Sequence, residues 1–327
     1  MKTSLKTRLL TIRSNVFSYL FITREFLLDC LRYLRHARTF TSDPGNRKSL
    51  EATIIAHYHV LEKGLSMPNP SPGHSLDTAR SLAALLKRWA AQGNQPSSQV
   101  DFAHGVLSAF TEFQHNHGVD VADLRTALAA LHASAVASGE NVYQLKQNAA
   151  LKHNWTSFAD FAMSRHSVRV YRPEAISDDD FEAAVRAAQH TPSVCNRQAF
   201  YVKRLIDAEQ IRGALSYQNG NRGFGHQVPT LFVMGADIRA FGGRVERKQP
   251  LVDGALFAMS FIYALHGRDI GSCPLNWCVS HDNDRKLKQL LNIPDYIEIV
   301  MLLAAGYPDP AGKSPASNRH EIAEVIR

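Results

Sequence analysis

The spacing of the apolar residues changes near residue 155, and this change divides the chain into two kinds of structure. Before it, the apolar spacing predicts helices over about 50–65, 76–91, 100–115 and 121–137. After it, strand-like runs at 200–206, 231–235 and 297–305 are interleaved with helical patterns at 251–266 and 284–291. The sequence therefore predicts an α+β domain over residues 155–327, preceded by an all-helical region.

The composition places the chain among globular proteins of a reducing compartment. It has 327 residues, of which 45% are hydrophobic and 20% charged, so a disordered chain or a coiled-coil rod is excluded. Four cysteines are too few to staple a chain of this length. We therefore expect a cytoplasmic protein rather than a secreted disulfide scaffold.

The net charge of +7 is concentrated at the N-terminus. Residues 1–40 contain eight lysines and arginines but only Glu25 and Asp29 as acids, and so contribute +6. The longest uncharged run there, residues 14–23, is shorter than the roughly 18 residues of a spanning helix, and no cleavage site follows it. The sequence predicts neither a transmembrane span nor a signal peptide.

Residues 1–40 also carry an apolar stripe, which consists of Leu9, Ile12, Val16, Leu20, Leu27, Leu31 and Leu34. A basic amphipathic helix of this kind can pack on the protein body with its arginines in water. Alternatively, it can make a peripheral contact with an anionic membrane, at the inner face if the protein is cytoplasmic. Nucleic-acid binding is not expected, because no recognised module accompanies the charge.

Alternating side chains in the segment Ser164 to Arg172 suit an anion. Arg165, Ser167 and Arg169 point the same way in an extended backbone, so two guanidinium groups and a hydroxyl share one face. Such a face suits a phosphate group.

Two further segments suit a flat polar ring. Thr191 to Gln198 lies between a predicted helix and a predicted strand, and the side-chain amides of Asn196 and Gln198 can both donate and accept hydrogen bonds. A glycine-containing loop at 267–274 would let the backbone approach a ligand closely. The C-terminal tail adds cations.

Taken together, these motifs resemble the flavin-dependent nitroreductase family over about residues 155–327. The resemblance rests on five segments in order, which are Arg165 to Arg169, Pro192 to Gln198, the loop at Gly271, Leu290 to Pro294 and Gly306 to Pro308. It implies an α/β sandwich, a homodimer, and one FMN bound between the subunits. Residues 57–65 are similar to a helical extension on homologues associated with polysaccharide production.

The resemblance also implies roles for individual residues. Arg165, His166 and Ser167 would hold the phosphate and ribityl end of FMN, with Lys313 and Arg319 completing the clamp. Pro192, Ser193, Asn196 and Gln198 would come from the other subunit, and Gly271 and Ser272 would line the flavin through their backbone. Arg169 would stabilise the N1 and O2 edge of the ring, and Asn221 would contact the substrate.

The implied function is transfer of two electrons from NADH or NADPH to an electron-poor organic molecule by a ping-pong mechanism. Two alternatives stay open, namely a flavin-binding scaffold or redox sensor in a biosynthetic assembly, and a dehydrogenase working in the oxidative direction. The sequence shows no dedicated acid, so protonation by water or a loop residue is as consistent with it as protonation by His166 or His226. No metal site is expected, because His57, His59 and Glu62 lack further ligands. We expect three units, at 1–40, 41–154 and 155–327.

Overall fold

The computed structural model of the chain describes residues 5–37, 46–65, 67, 70–93, 97–131, 155–243, 245–315, 319 and 321–326. The first half of the described chain is helical. Its helices are α1 (Leu5–His36), α2 (Arg47–Leu65), α3 (Leu76–Ala91), α4 (Ser98–Asn116) and α5 (Ala122–Ala130). The predicted helices of this region are confirmed, except that the predicted stretch 132–137 and the boundary at 154 lie outside the described residues.

Helices α2 to α5 form a bundle around one apolar core. Leu50, Ile54, Tyr58 and Leu61 recur on one face of α2 and are buried against residues of the other three helices, such as Leu82 and Phe110. This is the pattern expected when a helical stripe of apolar residues faces neighbouring helices. The helical region therefore has a core of its own.

The second half contains a four-stranded antiparallel sheet with the strand order β1-β2-β4-β3. The strands are β1 (Phe200–Leu205), β2 (Thr230–Asp237), β3 (Gly271–Asn276) and β4 (Ile297–Gly306). Three of them were predicted, but the prediction of a loop at Gly271 and Ser272 is wrong, because these residues begin β3. Pro274 argues against a strand in the sequence, because proline cannot donate a backbone hydrogen bond. A sheet tolerates proline in an edge strand such as β3.

Helices cover both faces of the sheet, which makes the C-terminal domain an α+β sandwich. One core contains residues of α8 and α10, and the other contains residues of α7 and α9. The helices of this half are α6 (Trp155–Ser164), α7 (Asp178–Ala188), α8 (Ala208–Leu215), α9 (Gln249–His266), α10 (His281–Leu291) and α11 (Ile322–Val325). Ser177 caps α7, since its Oγ accepts a hydrogen bond from the Asp180 N–H at 3.1 Å.

Helix α1 docks on the C-terminal domain through charged residues, and the described side chains of its apolar stripe face away from that contact. Arg32 is buried, and its guanidinium donates to Asp284 Oδ2 at 3.3 Å and to the Glu298 carboxylate. Leu20 and Leu27 of the stripe are 66% and 56% exposed, and Leu31 and Leu34 are also exposed. The helix therefore contacts the protein body, but the interpretation that its arginines stay in water is wrong for Arg32. In the described part of the chain, no helix is long and apolar enough to cross a membrane.

Candidate cofactor site

The segment with alternating cations lies against the start of β3. Ser167 pairs with Ser272 as an isolated parallel bridge, and the Val168 N–H donates to the Ser272 carbonyl at 3.0 Å. Gly271 makes this approach possible, because a Cβ atom there would lie 2.7 Å from Val168 Cβ. The structure thus places the segment that contains Arg165 and Ser167 beside Gly271 and Ser272.

The two arginines of this segment have the electrostatics of an anion site. Within the described residues, no carboxylate forms an ion pair with Arg165 or Arg169. The Arg169 guanidinium lies 5.9 Å from the centre of the Phe224 ring and donates to the Ser167 carbonyl at 3.2 Å. Cations that the fold leaves without carboxylate partners are suited to an external anion such as phosphate.

The C-terminal tail runs beside the same segment. The Asp309 N–H donates to the Val170 carbonyl at 3.2 Å, and Ser314 Oγ donates to the Ser167 carbonyl at 3.5 Å. Lys313 precedes Ser314 and is exposed, so the tail brings one of the two predicted tail cations to the segment. Arg319 is exposed farther along the tail, and its part in a phosphate clamp stays a prediction.

Two titratable groups near this segment are held uncharged by burial. Burial lowers the pKa of His266, with the nearby cation Arg165 adding to the effect, and Ser164 Oγ lies 2.8 Å from His266 Nε2. Burial also raises the pKa of the Cys273 thiol. His266 was missed by sequence reasoning, because nothing in the pattern of α9 marks its last residue as a neighbour of Ser164.

The loop 192–198 has a strained backbone. It contains a 3₁₀ turn at Val194–Asn196, and Cys195, Asn196 and Gln198 have φ angles of 50°, 52° and 48°. Non-glycine residues rarely adopt positive φ, and such conformations persist only where surrounding contacts impose them. Strain of this kind is concentrated at functional sites, which supports a binding role for the loop.

Buried polar groups impose that conformation. Arg197 is 1% exposed and donates to both oxygens of Glu246, at 2.7 Å and 3.0 Å, and to the Ala240 carbonyl at 2.8 Å. Asp253, on α9, accepts from the Val194 N–H at 3.2 Å, and burial raises the pKa of this carboxyl group. The sequence analysis missed Arg197, Glu246 and Asp253. An arginine between two candidate binding amides could have indicated the ion pair.

Asn221 is placed differently from the other candidates. Its Nδ2 group donates to the Leu215 carbonyl at 2.9 Å and to the Gln218 carbonyl at 2.5 Å. The amide nitrogen therefore closes the loop that follows α8. A substrate contact through Asn221 stays a prediction, and only its oxygen is left to make such a contact.

Helix α9 carries the two groups of candidate residues at opposite ends. Asp253 anchors the loop 192–198 near the N-terminal end, and His266 contacts Ser164 at the C-terminal end. A rise of 1.5 Å per residue separates these positions by about 20 Å. Between the two ends, α9 turns outward an apolar face that contains Leu251, Val252, Leu256 and Met259, which are 37–47% exposed.

Comparison with known proteins identifies the domain that contains these residues. A model of the nitroreductase family matches residues 162–216 and 201–307. The C-terminal domain belongs to the nitroreductase family. This match includes Arg165 to Arg169, the loop 192–198 and the start of β3, and it ends before Lys313 and Arg319.

The nitroreductase domain has relatives among curated proteins and solved structures. A candidate NADH dehydrogenase/NAD(P)H nitroreductase of Archaeoglobus fulgidus is 26% identical over 148 residues, which are 44% of this chain and 82% of the relative. A candidate nitroreductase from Bacillus subtilis has a TM-score of 0.47 and 16% identity, over 53% of this chain and 98% of its own. A candidate nitroreductase from Desulfovibrio desulfuricans, solved in complex with FMN, has a TM-score of 0.44 and 19% identity, over 51% and 94%.

Proposed function

We propose that the nitroreductase domain binds FMN and acts as an NAD(P)H-dependent oxidoreductase on a small electron-poor organic substrate. The family match and the name of the Archaeoglobus relative, an NADH dehydrogenase/NAD(P)H nitroreductase, support this reaction class. When bound, FMN supplies the two-electron chemistry, accepting hydride from NADH or NADPH and passing it to the substrate in a ping-pong cycle. The remaining steps concern this chain's own residues.

The residues present fit such a cofactor. Arg165 and Ser167, with Lys313 and Arg319 from the tail, would bind the phosphate, and His166 is exposed beside them. The Gly271 and Ser272 backbone would approach the flavin, since Gly271 has no side chain to block it. Arg169 would face the N1 and O2 edge and stabilise negative charge that develops there.

The position of α9 supports a homodimer as the unit that binds. One chain holds Arg165 and Asn196 near opposite ends of α9, too far apart to surround one flavin ring. If two copies pack their exposed α9 faces in antiparallel fashion, each anion segment meets the partner's loop 192–198. The site of each chain would then be completed by Pro192, Ser193, Asn196 and Gln198 of the other chain. The observation that carries the proposal is that the two groups of candidate residues lie at opposite ends of an exposed α9 face.

A spectroscopic experiment tests the activity. We expect purified protein to be yellow, NADH or NADPH to bleach it, and a quinone or nitro compound to restore the colour. Flavin that binds but is not reduced by either nucleotide would support the scaffold or sensor alternative instead. Reduction by a substrate followed by reoxidation with oxygen would support the oxidative direction, and failure to bind FMN would refute the proposal.

A substitution on α9 tests the dimer. Leu256→Glu places a charge in the middle of the exposed apolar face, so we expect it to yield monomers and to lose FMN together with the dimer. Leu290→Glu is the matched control, because Leu290 on α10 is similarly exposed, at 44% against 46%. A monomeric Leu256→Glu protein with full FMN occupancy would contradict a shared site.

We also propose a cytoplasmic location with a peripheral contact between α1 and an anionic membrane. The stripe residues Leu20, Leu27, Leu31 and Leu34 are exposed, whereas both acids of the segment have partners within the protein. Glu25 accepts from the His281 N–H at 2.6 Å, and Asp29 lies 3.6 Å from Arg32. Deleting residues 1–24 should abolish sedimentation with phosphatidylserine vesicles but leave FMN bound. Equal sedimentation of both proteins would contradict the membrane contact.

A further inference from the structure

Helix α2 belongs to the helical bundle but also packs on the loop 192–198. It contacts two 3₁₀ turns of the C-terminal domain, Val194–Asn196 within the loop and Ile238–Ala240 after β2. Its residue Ala52 is 1% exposed and lies in an apolar cluster against which Val194 packs. The other members of this cluster are Ala199, Ala236, Ala240 and Phe241. The bundle and the loop therefore share an apolar contact.

The same helix also holds the loop through hydrogen bonds that pass by way of the second turn. Ser49 Oγ on α2 donates to the Arg239 carbonyl at 3.1 Å. The next carbonyl along the chain, that of Ala240, accepts from Arg197 Nη1 at 2.8 Å. Arg197 Nε in turn donates to the Val194 carbonyl at 3.1 Å, which closes the loop. The turn 238–240 is thus bound to α2 on one side and to the loop on the other.

The apolar cluster lies against the ion pair that anchors the loop. Phe241 is 0% exposed, and the centre of its ring lies 5.3 Å from the Arg197 guanidinium. The bonds from Arg197 to Glu246 are stronger where water is excluded, because the low dielectric of a protein interior screens charges less than water does. Moving α2 away from the cluster would admit water beside this ion pair and weaken it.

The conformation of the loop requires contacts of this kind. Cys195, Asn196 and Gln198 have positive φ angles, which persist only where surrounding contacts impose them. Asp253 and Glu246 supply such contacts from the loop's own domain, and α2 supplies them from the bundle.

We propose that Ala52 is a positioning residue, through which the helical bundle holds the loop 192–198 in its binding conformation. This inference rests on the proposed function for the identity of the ligand, but not for the state of the loop. It gives the N-terminal helices a role in the site, because α2 forms one side of the packing that fixes the loop. A nitroreductase domain separated from α2 would lose this support.

Amide hydrogen exchange of the cofactor-free full chain tests the contact itself. Ala52→Leu overfills the cluster, so we expect exchange at residues 194–198 to accelerate about five- to 100-fold, which corresponds to the cost of overpacking a buried site. Ala79→Leu is the matched control, because Ala79 on α3 is 0% exposed and lies in the bundle core instead of the cluster. Unchanged loop exchange in Ala52→Leu would overturn the inference, as would equal acceleration in both variants.

A milder variant tests the same interface without overpacking. Ser49→Ala removes the bond to the Arg239 carbonyl, and exchange at residues 194–198 should accelerate about three- to tenfold, the range for one lost hydrogen bond. Thr111→Val is the control, because Thr111 is also buried and its Oγ1 donates to the Leu107 carbonyl at 2.7 Å within α4. Loop exchange that is the same in both variants would contradict a connection from α2 through the turn 238–240.

Cofactor binding separates positioning from a general loss of stability. Ala52→Leu should raise the FMN dissociation constant about three- to tenfold, because a displaced loop amide loses one hydrogen bond to the ring. The midpoint potential of bound FMN should shift with it, and Ala79→Leu should change neither quantity. Equal changes in the two variants would overturn a positioning role. Failure of the unaltered protein to bind FMN would refute the proposed function, whereas the exchange experiment would still decide this inference.

Discussion

The two halves of the candidate site are built in opposite ways. The loop 192–198 is held by several contacts, since Glu246 and Asp253 bind it from its own domain and Ala52 of α2 lies in the apolar cluster against which Val194 packs. The segment 165–169 has a backbone pairing with Ser272, but its arginines have no carboxylate partner among the described residues. Contacts within the protein thus fix the loop 192–198, which carries neutral amides. The positive charge of the segment 165–169 is available to be neutralised by a bound ligand.

This difference follows from the chemistry of the two halves. Residues at positive φ keep that backbone conformation, and the position of their side-chain amides, only if other contacts outweigh the local strain. Exposed or half-buried guanidinium groups remain hydrated without a partner, so the segment 165–169 needs no internal counter-charge. Substitutions in the loop should therefore reduce stability, whereas those in the cationic segment should reduce ligand binding.

The largest effect should come from breaking the internal ion pair of the loop. Arg197→Ala removes the guanidinium that pairs with the partly buried Glu246 and donates to the Ala240 carbonyl. We expect a loss of about 3 kcal/mol in the free energy of unfolding, at the low end of the range for breaking a buried pair. Urea denaturation of the cofactor-free protein measures it. A loss below about 1 kcal/mol would show that the loop does not depend on this anchor.

Next in size should be the loss of an anion contact in the cationic segment. Arg165→Ala should weaken FMN binding by roughly 1.5–3 kcal/mol, the range for hydrogen bonds to charged groups, or about 10- to 100-fold in the dissociation constant. The unfolding free energy of the cofactor-free protein should stay unchanged. Arg172→Ala is the matched control, because Arg172 is exposed and lies 4.0 Å from Glu174. Unchanged FMN affinity in Arg165→Ala would refute its role.

A smaller effect should follow from forcing the segment away from β3. Gly271→Ala places a Cβ atom within 2.8 Å of all three side-chain carbons of Val168, so we expect destabilisation of roughly 1–3 kcal/mol and weaker FMN binding. Gly267→Ala is the control, since the nearest atom to its Cβ would lie 3.5 Å away. Thermal melts of both variants check the difference. Equal melting temperatures would show that the close approach at Gly271 is not required.

The smallest effect should come from removing the carboxylate partner of Arg268, an arginine outside the segment 165–169. Asp180 accepts from Arg268 Nε and Tyr307 Oη, each at 2.6 Å, and the bond from Tyr307 is the main reason that its pKa is lowered. Asp180→Asn should reduce stability by about 1 kcal/mol at pH 7 and leave FMN affinity unchanged. Reduced FMN affinity in this variant would contradict the idea that a cation with a carboxylate partner, such as Arg268, takes no part in binding the cofactor.

The pH dependence of the Asp180 contribution can be stated with its sign. A carboxyl group with a lowered folded-state pKa stabilises the protein above its unfolded value of about 3.9, and the stabilisation is lost as the pH falls through the folded value. The difference between wild type and Asp180→Asn should therefore shrink below about pH 4. Unfolding midpoints measured from pH 7 down to pH 2 check this trend, and a constant difference would contradict it.

The sequence was informative wherever local patterns decide structure. Helical spacing predicted α3 and α9 to within about two residues, and Ser177 marked the start of α7. The sequence did not predict β3, because Gly271 and Pro274 lower the strand propensity of this segment. Pairing with β4 overrides this low propensity. For α1 the sequence left two arrangements open and did not indicate that the buried charge of Arg32 holds the helix.

The candidate site shows the same division. Arg165, Ser167, Asn196 and Gln198 could be selected because guanidinium, hydroxyl and amide groups at close spacing have a recognisable chemistry. Arg197, Asp253 and His266 could not be selected, because their roles depend on which distant backbone groups they meet.

By itself, the sequence determined the two kinds of structure, the concentration of charge at the N-terminus and the residue types that a phosphate and a flat polar ring require. These properties follow from composition and from spacing along the chain. Only the tertiary structure decided that the candidate residues lie at opposite ends of α9, that α1 exposes Leu20, Leu27, Leu31 and Leu34 and that the helical bundle contacts the loop 192–198. The physical reason is that burial and hydrogen-bond partners depend on contacts between segments far apart in sequence, which no local pattern specifies.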